Sequence, residues 1–120
     1  VIICDPKTDI YNPNVIRSSV GCVFTNQVVA CTSEEALLFL TENSIYSYAA
    51  ALTATDYYQK TDMAKSCAIV MGTEADGLSR FWLEKADKQI KIAMRGKIDS
   101  LNVSTSCAVL VFEAMRQRGY

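Results

Sequence analysis

Residues 68–79 read AIVMGTEADGLS, a stretch in which apolar side chains give way to a loop and then to a predicted helix. The apolar run Cys67–Met71 is typical of a central parallel strand that is covered on both faces. In parallel α/β sheets, ligands bind beyond the carboxyl ends of the strands, where backbone amides are free. Gly72 and Gly77 bound this loop, and glycine lets a backbone approach a ligand closely. The stretch therefore predicts an α/β fold with a candidate ligand-binding loop.

The same loop lacks the features of two common nucleotide-binding motifs. Its glycine spacing matches a P-loop, but Leu78 stands where a P-loop has lysine, and the middle glycine of GxGxxG is absent. The carboxylates of Glu74 and Asp76 would repel a bare phosphate, so the loop favours a neutral or cationic ligand. A glycine-bounded turn that only connects a strand to a helix is the alternative at this point.

A second informative segment, IAMRGKIDSLNVSTS, covers residues 92–106. A strand end and a glycine-bearing turn precede the polar cluster DSLN, and the last predicted helix follows. Ser100 or Asn102 is expected to cap that helix, because both residue types accept hydrogen bonds from the free backbone amides of a helix start. The functional alternative places Ser100 and Asn102 against a ligand beside Gly72.

Strands and helices alternate along the whole chain. Short apolar runs predict strands at residues 1–4, 28–31, 45–52, 67–71 and 89–93. Helices are predicted from Asn12–Pro13 toward Gly21, from the capping box of Thr32 and Glu35 to about residue 43, over 79–87, and over 102–118. The polar segment 54–65 predicts a loop that can hold a helical turn. This alternation predicts a single α/β domain over residues 1–120 with a mostly parallel sheet.

The last predicted helix carries one apolar face. Its apolar residues recur at helical spacing and are expected to face a core: Val103, Cys107, Leu110, Val111 and Ala114. Arg116 and Arg118 lie near its C-terminus, where positive charges interact favourably with the helix dipole.

Composition narrows the class of protein. Half of the 120 residues are hydrophobic and 21% are charged, which is typical of a globular domain. No apolar run approaches the roughly 18 residues of a membrane-spanning helix, and VIICDPKTD does not resemble a signal peptide. Five cysteines without a CxxC pair are expected to be buried thiols of a cytoplasmic protein: Cys4, Cys22, Cys31, Cys67 and Cys107. Because histidine is absent, we expect no metal site and no Ser-His or Cys-His nucleophile.

Charge is unevenly distributed although the net charge is only −1. Residues 1–79 contain four basic and nine acidic side chains, whereas residues 80–120 contain eight basic and four acidic ones. Polyanions bind to local clusters of lysine and arginine, so the C-terminal third is the candidate polyanion-binding region. The alternative is an ordinary solvated face.

The two segments together resemble a known family. MGTEADGLS and IAMRGKIDSLNVSTSCAVLVFEAMRQRG resemble the second and third motifs of the SpoU/TrmH branch of the SPOUT RNA methyltransferases. The separation also matches, with 20 residues from Gly72 to Ile92 and nine more to Leu101. The segment NPNVIRSSVGCVF is similar to the region between the family's first and second motifs.

This resemblance implies an α/β domain with a C-terminal trefoil knot that binds S-adenosylmethionine and forms a homodimer. The implied reaction is methyl transfer to a ribose 2′-hydroxyl of tRNA or rRNA. By motif position, Gly72, Ile92 and Leu101 would line the cofactor, and Glu74, Ser100 and Asn102 would be the polar active-site residues. A sulfonium cation also fits the acidic loop.

The sequence departs from the family pattern at three places, the mildest of which is the usually Ala-rich start of the last helix, where this chain has Thr105, Ser106 and Cys107. The first motif, an Asn-x-Gly…Arg segment, is expected upstream of Val1, so the chain resembles an N-terminally truncated domain. Ala93 stands where the family usually has proline. These departures favour one alternative, a catalytically silent module that keeps the fold for RNA binding or dimerisation. A generic α/β nucleotide-binding domain is the alternative if the motif match is a coincidence.

Overall fold

The computed structural model describes residues 1–95 and 101–120. It divides into two compact units, Val1–Phe39 and Leu40–Tyr120, and the boundary falls within one helix. Pairing is parallel between all named strands of the described residues. The prediction of an α/β fold with mostly parallel strands is therefore confirmed.

In the first unit, β1 (Ile2–Cys4) pairs with β2 (Val29–Cys31). Helix α1 (Pro13–Ser18) lies between them in sequence, followed by a short 3-10 helix, Cys22–Phe24. Asn12 caps α1 as predicted, because its side chain accepts a hydrogen bond from the backbone amide of Asn14 at 2.9 Å.

Helix α2 (Ser33–Glu42) begins with the predicted capping box. Glu35 Oε2 accepts a hydrogen bond from the Thr32 amide at 2.8 Å, and Thr32 Oγ1 accepts one from the Glu35 amide at 3.1 Å. These reciprocal bonds satisfy two backbone donors that a helix start leaves free.

The second unit contains a three-stranded parallel sheet in the order β4-β3-β5. Its strands are β3 (Tyr46–Ala50), β4 (Cys67–Val70) and β5 (Lys88–Ile90). The central strand of the described sheet is β3, so the prediction that Cys67–Met71 is central was wrong. An unbroken apolar run cannot distinguish the two positions: the β4 residues are half-buried, whereas Ser47, Tyr48 and Ala49 of β3 are buried.

The described part of this unit also contains a short 3-10 helix, Tyr58–Lys60, within the polar segment where a helical turn was predicted, and two further α-helices. Helix α3 (Arg80–Lys85) is capped by Ser79, and α4 (Val103–Gln117) is capped by Asn102. The core joins sheet, loop and α4 through Tyr48, Met63, Ile90, Leu110 and Ala114. The predicted apolar stripe of α4 is correct at Leu110 and Ala114 but wrong at Val111, which is 44% exposed. One step along a helix rotates a side chain by about 100°, which carries Val111 away from the core.

The thiols are less buried than the composition suggested. All five cysteines are free, four are half-buried, and Cys22 is exposed. None of the helices in the described part of the chain is long and apolar enough to cross a membrane.

Candidate functional site

A cavity of about 620 Å³ opens at the carboxyl ends of the three strands of the second unit. Its walls are formed by residues 50–52 at the end of β3, 71–78 after β4, 90–92 and 94 at the end of β5, and 101–103, 106 and 110 in and just before α4. This is the position that the general rule for parallel α/β sheets predicts for a ligand. The cavity is large enough for a small organic molecule.

Most of the predicted site residues line this one cavity. The structure brings together Gly72, Glu74, Ile92, Leu101 and Asn102. Ser100, the sixth, lies outside the described residues. The location of the five residues is now known, while the assignment of cofactor and catalytic roles to them stays a prediction.

The loop after β4 is closed by its own backbone. Thr73 N donates to Gly77 O at 3.0 Å, and Gly77 N donates to Thr73 O at 2.9 Å. A Cβ atom on Gly72 would lie 2.1 Å from the Gly77 carbonyl carbon and 2.3 Å from the Leu78 amide nitrogen. Gly72 is therefore required for closure of the loop. The sequence had suggested that this glycine leaves space for a ligand, but the chain's own backbone occupies that space.

Asn102 joins the two sequence motifs. Its Oδ1 accepts a hydrogen bond from the Ser104 amide at 2.9 Å, which is the helix cap that the sequence predicts. Its Nδ2 donates to Glu74 Oε1 at 2.8 Å. The sequence left a helix cap and a residue of the site as alternative roles for Asn102. In the structure its Oδ1 caps the helix, and its Nδ2 contacts a residue that lines the cavity.

The cavity combines an apolar interior with an acidic rim. Met71, Ile90, Ile92 and Leu110 supply apolar walls, and Ile90 and Leu110 are fully buried. Glu74 and Asp76 are both exposed. This arrangement suits a ligand with an apolar part and a positive charge.

Lys91 is the only basic residue among the described residues that line the cavity. Its ammonium group lies 5.1 Å from the ring centroid of Tyr57, within the range of a cation–π interaction. The backbones of the same two residues form a parallel bridge, so the loop before β4 is held against the end of β5.

Sequence reasoning missed the wall that follows β3. Ala51 and Leu52 line the cavity, and Ser106 lines it one helical turn after Asn102. A signal for the first two was available, because the rule that ligands bind at strand ends applies to β3 as well as to β4. Nothing in the sequence alone distinguished Ser106 from the other small residues of α4.

The comparisons with known proteins identify the family. The model of the SpoU rRNA Methylase family matches residues 1–112. This chain belongs to the SpoU family. The resemblance seen in the two motifs is thereby confirmed.

Two relatives of this SpoU chain are named as RNA methyltransferases. The 23S rRNA (guanosine-2'-O-)-methyltransferase RlmB of Xanthomonas axonopodis pv. citri is 37% identical over 119 residues, which cover 98% of this chain and 48% of that protein. The crystal structure of an RNA 2'-O ribose methyltransferase superimposes with a TM-score of 0.88 at 38% identity, covering 100% of this chain and 46% of the other. The SpoU chain thus spans about half the length of these relatives.

One structural relative was solved with a ligand. The crystal structure of an AdoMet-bound rRNA methyltransferase from Sinorhizobium meliloti matches with a TM-score of 0.84 at 25% identity. The match covers 96% of the SpoU chain and 44% of the chain in that structure.

Proposed function

We propose that this chain carries the cofactor-binding part of an S-adenosylmethionine-dependent methyltransferase that modifies a ribose 2′-hydroxyl of rRNA or tRNA. The observation that carries the proposal is the hydrogen bond between Asn102 and Glu74, which joins two family motifs across one cavity. The RNA methyltransferase relatives and the AdoMet-bound structure support the same assignment.

The cavity fits this cofactor in size and in chemistry. Its volume of about 620 Å³ lies within the range of small-molecule sites. Ile92 and Leu101 are suited to contact the adenine ring, and Gly72 fixes the loop whose backbone lines the cavity. The carboxylates of Glu74 and Asp76 are compatible with a sulfonium cation, which they would attract rather than repel.

The reaction requires positioning and removal of one proton. Bound S-adenosylmethionine supplies an electrophilic methyl group. The chain must hold the ribose hydroxyl in line with that methyl group and accept the hydroxyl proton. The bond from Asn102 engages Glu74 Oε1, so we assign proton acceptance to Glu74 Oε2. Ser100 is assigned as a third polar residue on the strength of its position in the family motif.

The same proposal covers the architecture of this chain. We assign residues 1–120 to the C-terminal part of one SPOUT-like domain that lacks the first motif and whose C-terminal segment forms a trefoil knot, as the family resemblance implies. We further propose a homodimer that acts in the cytoplasm on its RNA. An exposed apolar face on α4 supports a second copy as the partner: Val111 is 44%, Met115 36% and Phe112 75% exposed.

Two measurements test the function. Calorimetry with S-adenosylhomocysteine is expected to show one saturable site per chain. Tritium transfer from labelled S-adenosylmethionine to rRNA and to tRNA, measured with the complete protein, is expected to label one of the two. Cofactor binding without transfer to either RNA would favour the catalytically silent module. Tight binding of ATP without S-adenosylhomocysteine would favour the generic nucleotide-binding domain.

A further inference from the structure

The C-terminal end of α4 is fastened to the loop that precedes β4. Gln117 Nε2 donates to Thr61 O at 2.9 Å, and Gln117 Oε1 accepts from Met63 N at 2.7 Å. Arg118 Nη2 donates to Lys65 O at 2.7 Å, and its Nε donates to Ala64 O at 3.2 Å. We call the side chains of Gln117 and Arg118 the α4 clamp. In all four of these bonds the partner in the loop is a backbone atom, so the bonds fix the course of the loop backbone.

A neighbouring side chain holds the clamp in orientation. Gln117 Nε2 also donates to Glu113 Oε1 at 2.7 Å, and Arg116 binds both oxygens of Glu113. The Glu113 side chain is only 11% exposed. Because both of its oxygens are engaged, Glu113 restricts rotation of the Gln117 amide, and Gln117 presents its donor and its acceptor to the loop together.

The clamp and the candidate site lie at opposite ends of the same two elements. The clamped loop runs directly into β4, and β4 leads to Gly72 and Glu74. Helix α4 begins beside Asn102, which binds Glu74, and it ends at Gln117. The two elements are thus joined at both ends, by the clamp at one and by the Asn102–Glu74 bond at the other.

Helix α4 is buried at Leu110 and Ala114, and the more deeply buried of the two, Leu110, lies near its middle. Leu110 is fully buried in the core, eight residues after Asn102 and seven before Gln117. At 1.5 Å per residue these arms measure about 12 Å and about 10 Å. A rigid helix that pivots at Leu110 would move its two ends by similar distances in opposite directions. If the C-terminal end of α4 is displaced by about one ångström, Asn102 is therefore displaced by about the same distance. That displacement is enough to break its hydrogen bond of 2.8 Å to Glu74.

We propose that Gln117 and Arg118 are positioning residues for the candidate site, because they hold α4 at the tilt at which Asn102 reaches Glu74. Neither residue lines the cavity. The inference concerns a contact within the protein itself. Only its consequence for cofactor affinity rests on the proposed function.

The direct test is the side-chain amide of Asn102, observed by nitrogen-15 NMR in the protein without ligand. Gln117→Met keeps the length of the side chain and removes its hydrogen bonds. We expect this variant to shift the Asn102 amide signals toward those of a free asparagine side chain and to speed their exchange with water at least tenfold. The control is Arg80→Gln, which removes the side-chain ion pair of Arg80 with Glu84 on α3 and leaves every contact of the clamp in place.

A second measurement connects the clamp to binding. At a temperature at which all the proteins compared are folded by circular dichroism, Gln117→Met is expected to weaken S-adenosylhomocysteine binding about tenfold. Arg80→Gln is expected to leave that binding unchanged. Arg118→Lys, which keeps the charge but reduces the donors, provides a milder second variant if Gln117→Met does not fold.

The outcomes separate the inference from the function. Unchanged Asn102 signals in folded Gln117→Met, or in folded Arg118→Lys where that variant replaces it, would overturn the positioning role. If the unmodified protein does not bind S-adenosylhomocysteine, the proposed function fails, while the NMR experiment still decides whether the clamp controls the Asn102–Glu74 contact.

Discussion

Asn102 Nδ2 lies 2.8 Å from Glu74 Oε1, a contact between residues 28 positions apart. One partner follows a strand and the other begins a helix, so the bond is made only when β4 and α4 are both in place. The same asparagine caps α4 through Oδ1. Its two roles can be separated, since a cap contributes to stability and the contact with Glu74 contributes to the site.

Asn102→Ala is expected to lower methyl transfer by about 100-fold, because the Glu74 carboxylate loses the group that orients it. The cost in stability is expected to be about 1 kcal/mol, the usual value for a lost N-cap. Transfer of labelled methyl and thermal unfolding measure the two effects. Asn12→Ala is the matched control, since Asn12 caps α1 in the same way and does not line the cavity. An equal loss of activity in both variants would leave Asn102 as a cap alone.

Gly72→Ala is expected to open the loop after β4. The added Cβ would lie 2.1 Å from the Gly77 carbonyl carbon, and a backbone contact of that kind cannot be relieved by a side-chain rotation. We expect at least about 2 kcal/mol of destabilisation and loss of S-adenosylhomocysteine binding. Gly21→Ala is the comparison. It also strains the backbone at a φ of +76°, but the added Cβ would meet no atom within 4 Å. Normal stability of Gly72→Ala would contradict the closed loop.

The pH dependence of stability is expected to include a contribution from Glu113. Hydrogen bonds from Arg116 and Gln117 lower the pKa of this carboxyl from 4.5 to about 2. A carboxyl whose pKa is lower in the folded state stabilises the fold fully above its unfolded pKa and loses that effect as pH falls toward the folded pKa. The melting temperatures of the protein and of Glu113→Gln should therefore differ most above pH 5 and converge between pH 4.5 and 2. A constant difference across that range would show that Glu113 acts without its charge.

Phe112→Ser is expected to weaken the proposed homodimer. Phe112 is 75% exposed on α4, so the change should affect the stability of an isolated chain by no more than about 0.5 kcal/mol. Sedimentation over a range of protein concentrations is expected to show a dissociation constant raised at least tenfold. The control is Tyr120→Ser, which also removes an exposed aromatic side chain. Tyr120 is 86% exposed and lies beyond the end of α4. An unchanged dimer in Phe112→Ser would place the interface elsewhere.

Local features of the fold were predictable from sequence because the interactions behind them are local. The caps at Asn12 and Asn102 and the capping box of Thr32 and Glu35 each involve residues within three positions of one another. Glycine spacing and strand-end logic likewise pointed to the loop after β4 and to the start of α4.

The remainder depends on contacts between distant segments. The edge position of β4 follows from the pairing of β3 with β5, which no property of Cys67–Met71 determines. The requirement for Gly72 comes from the approach of Gly77, and the exposure of Val111 depends on which side of α4 the core occupies. These facts are set by tertiary packing, which a single sequence does not encode in any short pattern.

The strand order has a consequence for the synthesis of the protein on the ribosome. The first strand of the second unit to emerge, β3, is the one that needs partners on both sides, and those partners arrive about 20 and 40 residues later. Its unpaired edges must therefore stay exposed, or be covered by a chaperone, until Lys88–Ile90 has left the tunnel. Leu110 and the contacts of Gln117 follow later still. The cavity therefore lacks the wall that α4 supplies until this helix has docked, so an unfinished chain would not present the candidate site.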